Sequence, residues 1–180
     1  MAQAVIDDQE RGILRERAQK LAAVPPQPCN EEILSVLRFS LGEEIYGIEY
    51  SHIREVLPLP PVTPIPCVPS FVRGIMNVHG RIVSLLDMRD ILGLPGSGPR
   101  PHSCAIILQS ATIEFALIAD EILGLSPVAR SSIHASLPAL AGVKADSLLG
   151  VTAEGLVLLN AGKLLADKRL VVEEAVESAR

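Results

Sequence analysis

Tryptophan is absent from this 180-residue chain, and only two tyrosines and three phenylalanines supply aromatic bulk. A core without large rings must be filled by Leu, Ile and Val, whose smaller side chains have to interlock. Positive charge is also scarce: 16 Lys and Arg stand against 21 Asp and Glu, for a net charge of −5. No Lys/Arg stripe is interleaved with aromatics, which argues against nucleic-acid binding by phosphate neutralisation. The three cysteines, Cys29, Cys67 and Cys104, are widely spaced and form no C-x-x-C pair. That excludes a disulfide framework or a zinc knuckle and leaves buried free thiols in a reducing compartment as the expectation. No run of about 18 apolar residues occurs, so no membrane-inserted helix is expected. The opening segment, with Asp7, Asp8 and Glu10, is too polar to resemble a signal peptide, and a cytoplasmic location follows.

The usual signatures of chemistry are missing too. His52, His79, His102 and His134 lie far apart, with no H-E-x-x-H or comparable ligand spacing, so no metal or cofactor site is expected. His79, Ser84 and Asp87 invite a hydrolase reading. Ser84, however, lies inside an apolar strand pattern with no G-x-S-x-G elbow to expose it, so a structural serine is expected. Gly96-Ser97-Gly98 runs into Pro99-Arg100-Pro101, where no helix can begin to hold a phosphate, and reads as a linker. Gly162-Lys163 lacks the earlier glycine of a P-loop and is followed by Leu164. Pro61, Pro64, Pro66 and Pro69 fit P-x-x-P spacing, but Ile65, Val68 and Phe71 between and after them point to burial of the segment. An enzyme is not expected.

What is present is patterning. Asp7 and Glu10 have capping-box spacing, and Ile13, Leu14, Ala18, Leu21 and Ala22 share a helical face, so residues 1–30 read as a helix followed by a Pro-rich linker. After Pro28 the period becomes two. Leu37, Phe39 and Leu41 point one way and Arg38 and Ser40 the other, as in a half-buried strand. Further strands are predicted at 45–48, 53–57, 74–78, 81–86, 104–109, 113–119, 122–125, 148–151 and 156–159. Many short strands with frequent turn residues favour barrels or sandwiches over alternating β-α units.

The halves also align when the chain is slid by about 70 residues. Tyr46-Gly47-Ile48 then meets Phe115-Ala116-Leu117, Ile53 meets Ile122, Val56 meets Leu125, and Leu37 and Phe39 meet Ile106 and Leu108. Leu85-Leu86-Asp87 matches Leu158-Leu159-Asn160, and Ile91-Leu92 matches Leu164-Leu165. One small β unit therefore occurs twice, as a first barrel at about residues 33–95 and a second at about 102–166, with a tail over 171–180. Each unit is small enough to be marginal alone, and the seam between two packed copies is a natural binding groove.

These residues resemble the CheW family of chemotaxis coupling proteins and the related regulatory domain of the kinase CheA. The resemblance is carried by Phe39 to Ile48, by Ile53-Arg54-Glu55-Val56 and by the proline-bracketed block Ile65 to Gly80. It continues through Arg81 to Arg89, similar to the family's "V-I-D-L-R" corner, and through Phe115 to Leu125. The resemblance implies a mostly β fold of two SH3-like five-stranded β-barrels, here with an N-terminal helix and a short C-terminal helix. It implies a non-catalytic adaptor that needs no cofactor and couples chemoreceptors to a CheA-like histidine kinase. Its partners would be the kinase regulatory domain and the receptor's cytoplasmic hairpin tip, with no nucleic acid.

Carried over by position, Ile53, Gly74, Asn77 and Gly80 shape the receptor groove, the two glycines by allowing close backbone approach. Family members usually carry Arg where this chain has His79, paired with a Glu matching Glu55. An imidazole is mostly neutral at pH 7 and has no bidentate fork, so Arg81 is the expected substitute charge. Two alternatives remain open: an adaptor for a motility or developmental kinase pathway without classical chemoreceptors, and a double barrel that senses a small ligand.

Overall fold

The computed structural model describes residues 31–134 except Ser97, residues 147–167 and Leu170. The chain divides into two compact units, Met1–Glu31 and Glu32–Arg180, and the description below concerns the second. The predicted N-terminal helix and the tail over 171–180 lie outside the described residues.

The elements follow in the order β1 (Ile33–Leu41), β2 (Glu44–Glu49), β3 (Ile53–Pro58), β4 (Val72–Val78), β5 (Arg81–Leu86), α1 (Met88–Leu92), β6 (Cys104–Gln109) and β7 (Glu114–Ala119). Then come β8 (Glu121–Ala129), β9 (Ile133–His134), β10 (Leu148–Thr152), β11 (Val157–Leu159) and α2 (Ala161–Ala166). Every strand expected from alternation is present. β8 runs further than expected because nine-residue β1 offers it a partner as far as Ile33↔Ala129. Pro127 is tolerated within β8 because that strand is an edge, where a missing N–H costs no ladder bond.

Strand pairing crosses between the two halves of the chain. The sheets are β8-β1-β2-β11-β10-β9 and β3-β6-β7-β5-β4, so each draws strands from both halves of the chain. The halves have exchanged their first hairpins: β1–β2 lies between β8 and β11, and β6–β7 lies between β3 and β5. The exchange is reciprocal to the residue. Ser84, Leu85 and Leu86 pair in parallel with Phe115, Ala116 and Leu117. Their repeat equivalents Val157, Leu158 and Leu159 pair with Tyr46, Gly47 and Ile48. Leu37 faces Leu125 just as Ile106 faces Val56.

The period of two sorts side chains between three clusters. Leu37, Phe39, Ile106, Leu108, Phe115 and Leu117 point into the largest, which both sheets share. The alternate residues Ala105, Ile107, Ala116 and Ile118 face a second cluster with Met76, Val78, Val83 and Leu85. Leu34, Val36, Val128, Leu156 and Leu158 form the third. β6 and β7 are thus buried on both faces, which is why they read as unbroken apolar runs.

Each hairpin that ends a half turns into a short helix at the matched Leu-Leu-Asp/Asn corner. Asp87 accepts from Arg89 N at 3.1 Å, and Asn160 accepts from Lys163 N at 3.0 Å, so both act as N-caps. The first corner carries an ionic network. Asp87 is fully buried and also accepts from Arg89 Nε at 3.0 Å, Arg73 Nη2 at 3.2 Å and Gly98 N at 3.2 Å. Burial alone would raise the Asp87 pKa, but hydrogen bonds and charge from Arg89, with the Gly98 N–H, hold it below the ordinary carboxylate value. Asp120 stands 3.5 Å from Arg89 Nη1 and accepts from Gly42 N at 2.7 Å, tying the first hairpin turn to the same knot.

The crossing from β3 to β4 is extended and irregular, as its prolines require. Ile65, Val68 and Phe71 are half-buried while Pro61, Pro64, Pro66 and Pro69 face solvent. Leu59 N still bonds Ser103 O beside β6, and Thr63 then exchanges two hydrogen bonds, at 2.8 and 2.9 Å, with Ile75 of β4. That single bridge ties the crossing to edge strand β4. The expectation of buried thiols fails at Cys67, which is exposed in this crossing with φ 61°, while Cys104 is half-buried and Cys29 is outside the described residues. The prolines on either side hold residue 67 at a turn, where its side chain cannot reach the core.

Candidate functional site

β4 and β5 are joined by a two-residue turn, His79-Gly80, with φ of 52° and 83°. Positive φ at both positions is the turn type whose twist matches a right-handed hairpin. Asn77 fixes it, its Oδ1 accepting from Gly80 N at 2.8 Å. Gly80 is required for its backbone angle alone, since a Cβ there would meet nothing within 4 Å. Gly74 is the reverse case. A Cβ on it would lie 2.2 Å from Thr63 O, because the crossing passes over β4 at the Thr63–Ile75 bridge, and its φ is 141°. At Gly74 the close approach is of the chain's own backbone, while Gly80 is open on that side.

The turn projects His79 toward β3. His79 Nε2 lies 3.1 Å from Glu55 Oε2, and Arg81 Nη2 lies 3.5 Å from Glu55 Oε1. Three strand intervals separate β3 from β5 in the sheet order, about 14 Å in a flat sheet. Contact between their side chains therefore records strong curvature. The expected Glu55–His79 pairing, with Arg81 as the supporting charge, is the geometry observed. Glu114, at the start of β7, also pairs with Arg81 and stands 3.7 Å from Arg54 Nη1, which donates to Gln109 Oε1 at 2.9 Å. Ile53 is half-buried beside this group, on the rim of a hollow of about 380 Å³ that Arg54 and Gln109 also line.

Arg54, Gln109 and Glu114 had no signal in the sequence. Nothing pairs residue 54 with residue 114 until hairpin exchange sets β6 beside β3 and β7 beside β5. The contacts are also weakly held. The His79 side chain is 75% exposed and that of Glu55 28%, and an exposed ion pair is worth about 0–1 kcal/mol. Such charges can exchange an internal partner for an external one at little cost. His79, Ser84 and Asp87 form no catalytic array: His79 meets Glu55, while Asp87 is buried between Arg73 and Arg89. Among the described residues no three His, Cys, Asp or Glu side chains are placed to share a metal ion. Among them, too, no helix is long and apolar enough to cross a membrane.

The family model described as CheW-like domain matches residues 35–169. The chain belongs to the CheW-like family. Apart from Ile33 and Leu34 of β1, both sheets, the exchanged hairpins and the charged turn lie within the matched span. A chemotaxis protein CheW of Treponema pallidum is 28% identical over 152 residues, covering 81% of this chain and 89% of that protein. Protein PilI of Pseudomonas aeruginosa is 27% identical, covering 76% and 77%, and protein FrzA of Myxococcus xanthus is 29% identical, covering 73% and 84%. The crystal structure of the scaffolding protein TtCheW from Thermoanaerobacter tengcongensis superposes with a TM-score of 0.64 at 25% identity, covering 72% of this chain and 90% of that one. At the family level this is a scaffold and adaptor for chemosensory signalling, not an enzyme.

Proposed function

We propose that this chain is the coupling adaptor of a bacterial chemosensory pathway, joining chemoreceptors to a CheA-like histidine kinase by protein–protein contact alone. It works in the cytoplasm within receptor arrays. The two sheets serve as two SH3-like barrels, and the receptor's cytoplasmic hairpin tip docks at Ile53, Glu55, Gly74, Asn77, His79, Gly80 and Arg81. One observation carries this reading: a shallow polar group, exposed His79 with half-buried Glu55 and Arg81, beside half-buried Ile53. Buried apolar surface supplies most of the affinity in such a contact, and charges set orientation. Gly74 and Asn77 act by holding the crossing and the turn in place.

The test uses full-length protein with the kinase regulatory domain and a receptor cytoplasmic fragment encoded in the same genome. Glu55→Lys is expected to weaken receptor binding at least about tenfold, the effect of reversing a charge amid two or three partners. Kinase-domain affinity and melting temperature should hold. Equal loss of both affinities, or loss of neither, refutes the assignment of this face to the receptor.

A further inference from the structure

A second surface lies on the six-stranded sheet, built from elements that the charged turn does not use. Hairpin β1–β2, the chain just beyond α1, and hairpin β10–β11 enclose a groove of about 650 Å³. Its floor is apolar: Ile45, Tyr46, Leu94, Leu148, Leu156 and Val157. Ile45 is one of the few large apolar side chains left more than a third exposed. Its rim is acidic, with exposed Glu43 and Glu44 on the β1–β2 turn and exposed Glu154 on the β10–β11 turn. Arg38 is the single cation in the lining, and its Nε is buried with no hydrogen-bond partner among the described residues.

We propose that this groove receives a short amphipathic helix from a partner protein, one with Lys or Arg flanking its apolar stripe. The floor matches the i, i+3, i+4, i+7 stripe of such a helix, and three carboxylates against one guanidinium select basic flanks. The helix therefore lies with its basic residues along Glu43, Glu44 and Glu154. This surface goes beyond the receptor face proposed above, and either assignment can fail without the other.

The absence of tryptophan makes the test direct. The probe is a 16-residue helical peptide with Leu at i, i+3, i+4 and i+7, Lys flanks and one Trp in the stripe, titrated with the full chain. Saturable binding with a blue-shifted Trp emission is expected, at least about tenfold tighter than for the same peptide with Glu flanks. Glu43→Lys and Glu154→Lys should each weaken binding about fivefold, as for loss of one exposed pair. Ile45→Asp, checked for native melting, should abolish it. Equal binding of both peptides, or Glu43→Lys and Glu154→Lys both leaving binding unchanged, overturns the proposal. So does concentration-dependent self-association that Ile45→Asp abolishes, which would make the groove an interface between copies of this chain.

Discussion

Replacing Asp87 with Asn tests why the two matched corners use different caps. Both side chains cap a helix, so the substitution keeps the bond to the backbone N–H and removes only charge. At residue 87 that charge faces Arg89, whose side chain is 3% exposed, and Arg73, whose side chain is 25% exposed. The repeat equivalent of Arg89 is Gly162, so no guanidinium stands two residues after the cap at the second corner. Breaking a buried pair by removing one partner costs about 3–5 kcal/mol, because the other charge stays buried. Asp120 remains 3.5 Å from Arg89 Nη1 and offsets part of this, so about 3 kcal/mol is expected for Asp87→Asn at pH 7. The converse change, Asn160→Asp, should fall within about 0.5 kcal/mol, since an acidic cap suits a helix N-terminus. Adding Arg89→Met to Asp87→Asn should restore at least about half the loss by removing the stranded charge. Urea unfolding of the four proteins at equal m-value supplies the free energies. If Asp87→Asn lies within about 0.5 kcal/mol of the parent, the network contributes nothing beyond its cap, and this reasoning is wrong.

The same carboxylate gives a pH dependence of known sign. Its folded pKa is depressed, so between the folded and unfolded values the unfolded chain binds more protons and stability rises with pH. Stability from Asp87 should therefore be full above the ordinary carboxylate value, near ~4, and fade as pH falls through the folded one, with a shallower acid slope in Asp87→Asn. Gly74→Ala should cost about 2 kcal/mol or more, because its Cβ would meet Thr63 O at 2.2 Å in a backbone conformation suited to glycine; a melting temperature unchanged within a degree would refute the Thr63–Ile75 bridge. Hairpin exchange predicts that residues 1–96 and 99–180 are each unfolded alone by circular dichroism and regain sheet signal when mixed; independent folding of either piece would contradict the interleaved sheets.

Much of this fold is written locally. Alternation at Leu37, Phe39 and Leu41, the Leu-Leu-Asp and Leu-Leu-Asn corners and the near-70-residue repeat all depend on neighbours a few residues apart, or on composition. They marked the strands and the two matched corners in advance. Glu55, His79 and Arg81 were legible as a group because the family resemblance aligned them, and they do meet. Their companions Arg54, Gln109 and Glu114 were not, and neither was the groove beside Ile45.

By itself, then, the sequence determined the strands, their inward faces and the duplicated unit, since each is a matter of period or residue type along one stretch of chain. Only the tertiary structure decided which strands lie side by side. Either half's own hairpin would satisfy the same apolar period, and the choice of the exchanged one rests on burial that forms only when both copies are present. The charged group and the groove follow from that choice, because both are made where strands distant in sequence become neighbours.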